Sequence, residues 1–172
     1  MRDSRYDVLF EPVRIGPKVA PNRFYQVPHC AGSAGSEQPG FQSELRGMKA
    51  QGGWGVVCTE YCSIHPTSDD SPYVSARLWD DDDAANLSVM CDRIHDFGSL
   101  AGAELWHGGF QSKNSESRHV RIGPLQGPSD LYVGNYARYA DAEDIVMIQG
   151  WYVDAAIRAR QAGFDVVYVY AA

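Results

Sequence analysis

No apolar run in this chain of 172 residues approaches the roughly 18 that span a bilayer, and its opening, Met1-Arg2-Asp3-Ser4-Arg5-Tyr6-Asp7, is too polar for a secretory leader. A soluble, cytoplasmic protein with no membrane contact is expected. There is no basic excess either: 15 Lys and Arg face 22 Asp and Glu, so no nucleic-acid surface is implied. The acidic residues are spread over positions 80–83, 141–144 and isolated sites, which suits solubility and leaves a face that an electron-transfer partner could use. The four cysteines, Cys30, Cys58, Cys62 and Cys91, lack the paired spacing of a disulfide framework, and reduced thiols are expected. No G-x-G-x-x-G turn follows the first strand-like segment; residues 31–35, Ala-Gly-Ser-Ala-Gly, only echo one, which argues against a doubly wound dinucleotide fold. No internal repeat of fixed period is present.

What is there alternates. Strand-like residues 24–27 end at Pro28, which cannot donate to a ladder. A Gly- and Ser-rich stretch, 31–40, leads into a helical pattern over 41–51 that stops at Gly52-Gly53. Residues 55–59 are short, apolar and β-branched, as a strand buried on both faces should be. A polar loop over 63–79 follows, then a helix that Asp80 to Asp83 can cap, with the stripe Leu87, Met90, Cys91, Ile94, Phe97 and a stop at Gly98. Residues 100–105 read as the third strand, 108–140 as a long Gly- and Pro-rich connection, 145–162 as a helix capped by Asp141 or Asp144, and 164–170 as the fourth strand. Ahead of all this, residues 8–10 and 13–15 are expected to pair as a hairpin closing the bottom of a barrel. Strand and helix in strict alternation predict a parallel sheet. A complete (β/α)8 barrel takes about 250 residues. The reading is therefore α/β, the N-terminal half of a TIM barrel truncated after the fourth strand, with residues 1–172 forming one partial domain.

In such a barrel the C-terminal strand ends build the site. That rim receives Cys30 after the first strand, Glu60 and Tyr61 after the second, Glu104 and Trp106 after the third and Tyr170 after the fourth. Cys30 is either a buried apolar cysteine or a sulfur facing ligand. Glu104 is either half of a structural ion pair or an acceptor for a ligand N–H. Tyr61 and Trp106 are either packing or a pocket wall. Two further patterns are weak: Cys58, Cys62 and His65 form C-x3-C-x2-H without a fourth ligand at customary spacing, so no metal site is expected, and His29 beside Cys30 lacks the orienting Asn or Asp of a cysteine hydrolase.

The words Leu9-Phe10-Glu11-Pro12, Ile15-Gly16-Pro17-Lys18, Asn22 to Cys30, Gly52-Gly53-Trp54, Thr59-Glu60-Tyr61 and Glu104-Leu105-Trp106-His107-Gly108-Gly109 occur in this order along the chain. With them the sequence resembles the N-terminal flavin domain of the iron–sulfur flavoprotein amine dehydrogenases, within the old yellow enzyme superfamily. The resemblance implies an FMN-binding domain in which Cys30 carries FMN through the flavin C6 position. Val27, Pro28 and His29 would contact the cofactor through their backbone, and Glu104 would accept from the flavin N3 hydrogen. Tyr61 and Trp106 would line an aromatic bowl for a methylated ammonium, a cation–π site worth roughly 0.5 to 2 kcal/mol per ring. Tyrosine and tryptophan at these two positions, with Ser75, match the trimethylamine-oxidising members better than the dimethylamine- or histamine-oxidising ones. Tyr170 would be the catalytic tyrosine that bonds to a histidine three positions on, a position outside this chain, and Ala171 and Ala172 would flank substrate. The activity implied is oxidative demethylation of trimethylamine to dimethylamine and formaldehyde. Electrons would pass through a [4Fe-4S] cluster to an electron-transferring flavoprotein, in a homodimer that also binds ADP. The cluster and ADP sites are not in these residues. The rival expectation is a half-barrel that binds flavin or a partner without turnover, or a fragment without independent function.

Overall fold

A computed structural model describes residues 3–32, 39–73, 75–129, 134 and 136–171. The strands are β1 (Val13–Ile15), β2 (Lys18–Ala20), β3 (Tyr25–Gln26), β4 (Val56–Ser63), β5 (Ala76–Arg77), β6 (Leu100–Trp106), β7 (Arg121–Gly123), β8 (Gly127–Pro128), β9 (Tyr136–Tyr139) and β10 (Val166–Tyr170). The helices are α1 (Pro39–Gln51), α2 (Asp81–His95) and α3 (Ala142–Gln161). The central sheet runs β10-β6-β4-β3, every pair parallel, with β5 added to the end of β4. Helices connect successive strands of this sheet, as parallel crossovers require. The architecture is α/β, a partial barrel of the expected kind.

The helices form because their ends are satisfied as well as their apolar faces. Asp80 caps α2 by accepting from the Asp83 N–H, and three further Asp residues fill its first turn, where the positive end of the helix dipole favours them. Asp141 and Asp144 close a reciprocal capping box at the start of α3. Gly98 and Gly163 follow α2 and α3 with φ of +73° and +100°, a conformation that costs a residue with a Cβ. Met90, Cys91 and Ile94 of α2 and Ala155 and Ala159 of α3 pack on Val57, Cys62, Ala101, Ala103 and Leu105, on the outer face of β4 and β6. Ile94 and Leu105 are fully buried, and each such side chain contributes about 1.5–3 kcal/mol. A second, smaller cluster of Ala20, Val56 and Cys58, with Val13, Ile15, Tyr25 and Leu100 against it, fills the inner face near the strand starts.

Two expectations change. Residues 8–10 are not a strand: Ser4–Phe10 is a 3-10 helix whose cap, Asp3, accepts from the Arg5 N–H, and the hairpin is β1 with β2 instead, turning at Gly16. A short apolar run cannot by itself distinguish strand from helical turn. The long connection before α3 is not irregular throughout. It holds a small sheet in the order β7-β9-β8, and Arg138 of β9 forms a salt bridge with Asp144 of α3.

β4 carries an irregularity that positions the site. Cys58 pairs with Gly102, but the next partner pair is Tyr61 with Glu104, so β4 spends one residue more than β6 over this interval. That is the count of a β-bulge. Below it Cys58 lies in the inner cluster; above it Cys62 lies in the outer one.

Candidate functional site

The inward-facing positions at the C-terminal ends of the strands open on a cleft of about 920 Å³. β3 and the segment after it supply Tyr25, Val27, Pro28 and Cys30; β4 supplies Tyr61; β6 supplies Glu104 and Trp106; β10 supplies Tyr168 and Tyr170; Asp70 and Gln111 enter from loops. Parallel register builds the wall in two layers, with Glu104 beside Tyr168 and Trp106 beside Tyr170. Because side chains alternate along a strand, these four positions face one way.

Cys30 is an exposed free thiol at the cleft edge. Its segment is tied down on both sides. The His29 N–H donates to the Thr59 carbonyl at 3.4 Å, and the Ala31 and Gly32 N–H groups donate to Glu60 Oε2 at 2.7 and 3.2 Å. Although the residue is exposed, partial desolvation of its sulfur against the cleft wall raises the thiol pKa above its ordinary value. The Glu60 and Glu104 carboxylates add to that rise, whereas a backbone hydrogen bond at Tyr61 and the Arg46 guanidinium oppose it.

Glu104 is 8% exposed, and its backbone N–H donates to Thr59 Oγ1 at 3.2 Å. Among the described residues no donor meets its carboxylate, which lines the cleft; burial raises its pKa. An accepting group held there without a protein partner suits a ligand that brings an N–H.

Tyr61 and Trp106 stand 4.6 Å apart between ring centroids, tilted by 49°. The Tyr61 hydroxyl donates to Asp70 Oδ2, and Lys113 Nζ lies 3.1 Å from Asp70 Oδ1. Burial, and then the Asp70 carboxylate, hold the Tyr61 phenol in its neutral form. The Tyr170 carbonyl accepts from the Tyr152 hydroxyl at 2.8 Å, and that hydroxyl accepts from the His107 N–H at 3.2 Å, so one phenol of α3 pins the ends of β6 and β10 together.

Of the residues singled out from sequence, Val27, Pro28, Cys30, Tyr61, Glu104, Trp106 and Tyr170 meet in this cleft. The His29 side chain is exposed, Ser75 is buried ahead of β5 and Ala171 is exposed after β10; none of the three lines the cleft. Ala172 lies outside the described residues. Cys58 hydrogen-bonds the Tyr25 hydroxyl on the inner face while Cys62 packs outside, and among the described residues no His, Cys, Asp and Glu group is arranged for a metal. Sequence reasoning passed over Tyr25, Asp70, Gln111 and Tyr168. Tyr168 was within reach, being two residues before Tyr170 on the same strand face; Asp70 sits in a loop and carried no signal.

Comparison with known proteins matches residues 8–172 to the NADH:flavin oxidoreductase / NADH oxidase family. The chain is 49% identical over 177 aligned positions to dimethylamine dehydrogenase of Hyphomicrobium sp. (strain x), covering 99% of this chain and 24% of that protein. Histamine dehydrogenase from Rhizobium sp. 4-9 superimposes with a TM-score of 0.92 at 43% identity, over 98% of this chain and 26% of that one. The 6-hydroxypseudooxynicotine amine oxidase from Pseudomonas geniculata N1 superimposes with a TM-score of 0.94 at 42% identity, over the whole of this chain and 26% of its own length. The chain thus spans about a quarter of the length of these relatives.

Proposed function

Because the chain belongs to the NADH:flavin oxidoreductase / NADH oxidase family, we propose that it is the flavin-carrying part of an FMN-dependent amine dehydrogenase that demethylates trimethylamine. The observation that carries the reading is the meeting of three features in one cleft: a free cysteine at the edge, a carboxylate on the wall that meets no donor among the described residues, and a facing pair of aromatic rings.

The residues present fit the cofactor. Val27, Pro28 and the His29 backbone would bound it on one side, Glu104 would accept its N–H, and the Cys30 sulfur would be bonded to its C6 carbon. When bound, FMN supplies the two-electron acceptor, the part of the chemistry that amino-acid side chains cannot provide. The chain's own groups bind, orient and exclude water. Tyr61 and Trp106 would hold the alkylammonium by cation–π attraction, and their apolar faces would keep the reacting methyl group dry. Asp70 keeps the Tyr61 ring in place through the phenol hydrogen bond. Tyr170, fixed through its carbonyl by Tyr152, would act as the catalytic tyrosine opposite the bowl. Trimethylamine loses two electrons and, with water, one methyl as formaldehyde, leaving dimethylamine. Electrons would leave through an iron–sulfur cluster, held by residues other than these, to an electron-transferring flavoprotein. A homodimer in the cytoplasm completes the proposal.

The 49% identity to a dimethylamine dehydrogenase favours a second reading, in which the secondary amine is the substrate. Turnover of trimethylamine, dimethylamine and histamine by the flavin-loaded protein, with formaldehyde and the product amine quantified, separates the two. The highest kcat/KM with trimethylamine is expected. Preference for dimethylamine establishes the second reading, and no turnover of any amine overturns both.

A further inference from the structure

Arg46 of α1 and Glu60 of β4 are both fully buried, an expensive place for two charges. Packing alone does not call for them there, since apolar side chains of similar volume would fill the space at lower cost. What they contact explains their presence. Arg46 reaches three acceptors on separate pieces of chain: Gln42 Oε1 one turn earlier at 3.2 Å, Gln26 Oε1 of β3 at 3.4 Å, and the His29 carbonyl at 2.5 Å. Glu60 Oε2 collects the two successive N–H groups of Ala31 and Gly32. The carbonyl just before Cys30 is thus gripped by a cation, and the N–H groups just after it by an anion. Both grips are charge-assisted hydrogen bonds, the shorter and stronger class.

We propose that Arg46 and Glu60 are positioning residues for Cys30, a two-sided clamp that fixes the backbone of residues 29–32, holds the sulfur at the cleft edge and sets how readily it reacts. This deepens the function proposed above and rests on it for the use made of the sulfur. The clamp is bipolar about the thiol. The Glu60 carboxylate disfavours the thiolate and the Arg46 guanidinium favours it. The other groups facing Cys30 are Glu104 from β6, the backbone at Tyr61, and the Tyr61 and Tyr73 phenols; the neighbouring His29 side chain is exposed.

The two members of the clamp therefore act on the thiol with opposite sign, and a merely structural role does not predict that. The test is the pH profile of iodoacetamide alkylation at Cys30 in the full chain, read by peptide mass so that the buried Cys58, Cys62 and Cys91 are scored separately. Glu60→Gln keeps one acceptor oxygen and removes the negative charge; alkylation below the midpoint is expected to quicken by ~3- to 10-fold. Arg46→Gln is expected to slow it by a similar factor, and Arg46→Lys, which keeps the charge, to restore the parent profile. If both neutral variants speed the reaction, the effect is loosening of the segment and the proposal fails; it fails equally if neither moves the midpoint. Should Arg46→Gln not fold, Glu60→Gln and Arg46→Lys decide: a profile unchanged in Glu60→Gln overturns the clamp. No flavin is needed for this readout. A protein with the expected profiles that takes up no FMN counts against the proposed function alone.

Discussion

Replacing Asp165 with Asn cuts into a junction of four elements. The carboxylate, 7% exposed, sits just before β10. Its Oδ1 meets Lys18 Nζ of β2 at 2.7 Å, while its Oδ2 meets His95 Nε2 of α2 at 2.7 Å and the Ala101 N–H of β6 at 2.9 Å. An amide offers one accepting oxygen where the carboxylate offers two, and its NH2 faces a donor. Lys18 is half exposed, so that arm is worth only about 0.2–1 kcal/mol. Losing one charge-assisted bond among the buried contacts costs about 1.5–3 kcal/mol. The expected destabilisation is about 2–4 kcal/mol, or about 4–16 °C in Tm for a chain of this length. Burial raises the Asp165 pKa, but the Lys18, Ala101 and His95 hydrogen bonds together outweigh it and hold the carboxyl below its ordinary value. A depressed carboxylate contributes stability that is fully present above its unfolded pKa, near ~4, and is lost as pH falls through the lower folded value. Urea unfolding of parent and variant between pH 7 and the lowest pH at which both fold should therefore show a gap that is constant at neutral pH and closes below about pH 4. A gap under about 0.5 kcal/mol at pH 7, the scale of an ordinary surface substitution, would refute the reasoning, as would one that does not narrow on acidification.

Trp106→Leu removes one wall of the aromatic pair while keeping an apolar side chain, and should raise the inhibition constant of tetramethylammonium in the flavin-loaded protein by about 2- to 30-fold, the scale of one cation–π contact; an unchanged constant would remove Trp106 from the amine pocket. Gly102→Ala would place a Cβ 2.5 Å from Cys58 Sγ, where nothing fits without a shift, at a cost of about 1–3 kcal/mol. Adding Cys58→Ala should return part of that cost, since the next contact, to the Cys58 Cβ, is an ordinary 3.6 Å; strictly additive losses in the double-mutant cycle would show that the two sites do not touch.

The features legible in the sequence are those written in local chemistry. Asp80 and Asp141 cap their helices where the pattern places them, and Gly98 and Gly163 take the left-handed φ that ends a helix. The strand ends that carry Cys30, Glu104, Trp106 and Tyr170 to one cleft follow from the alternation of elements. What escaped was written in pairing between distant residues. β7, β8 and β9 are short and hidden in a Gly- and Pro-rich stretch, and only their mutual hydrogen bonds make them strands. Asp70 enters the cleft from a loop, and the Tyr152 bridge to Tyr170 depends on α3 lying against both strand ends. Arg46 shows the same point most sharply: on a helical pattern a basic residue reads as the solvent side, whereas here it is buried and spans from α1 to the His29 carbonyl.

The extra residue in β4 works as a phase shifter. Along β6 one parity holds from Leu100 to Trp106, so even-numbered positions face inward throughout. Along β4 the parity that puts Val56 and Cys58 inside would send Tyr61 out among the helices, and the offset between Cys58 and Tyr61 reverses it. The lower half of the strand is thereby tuned to the packed bottom of the barrel and the upper half to the cleft, with separate alternation rules. Pairing β4 with β6 one to one, with every residue kept and the offset lost, would swap ring for thiol at the cleft wall, turning Tyr61 outward and Cys62 in. Deleting one residue between Cys58 and Tyr61, by contrast, would remove the bulge and leave Tyr61 facing the cleft.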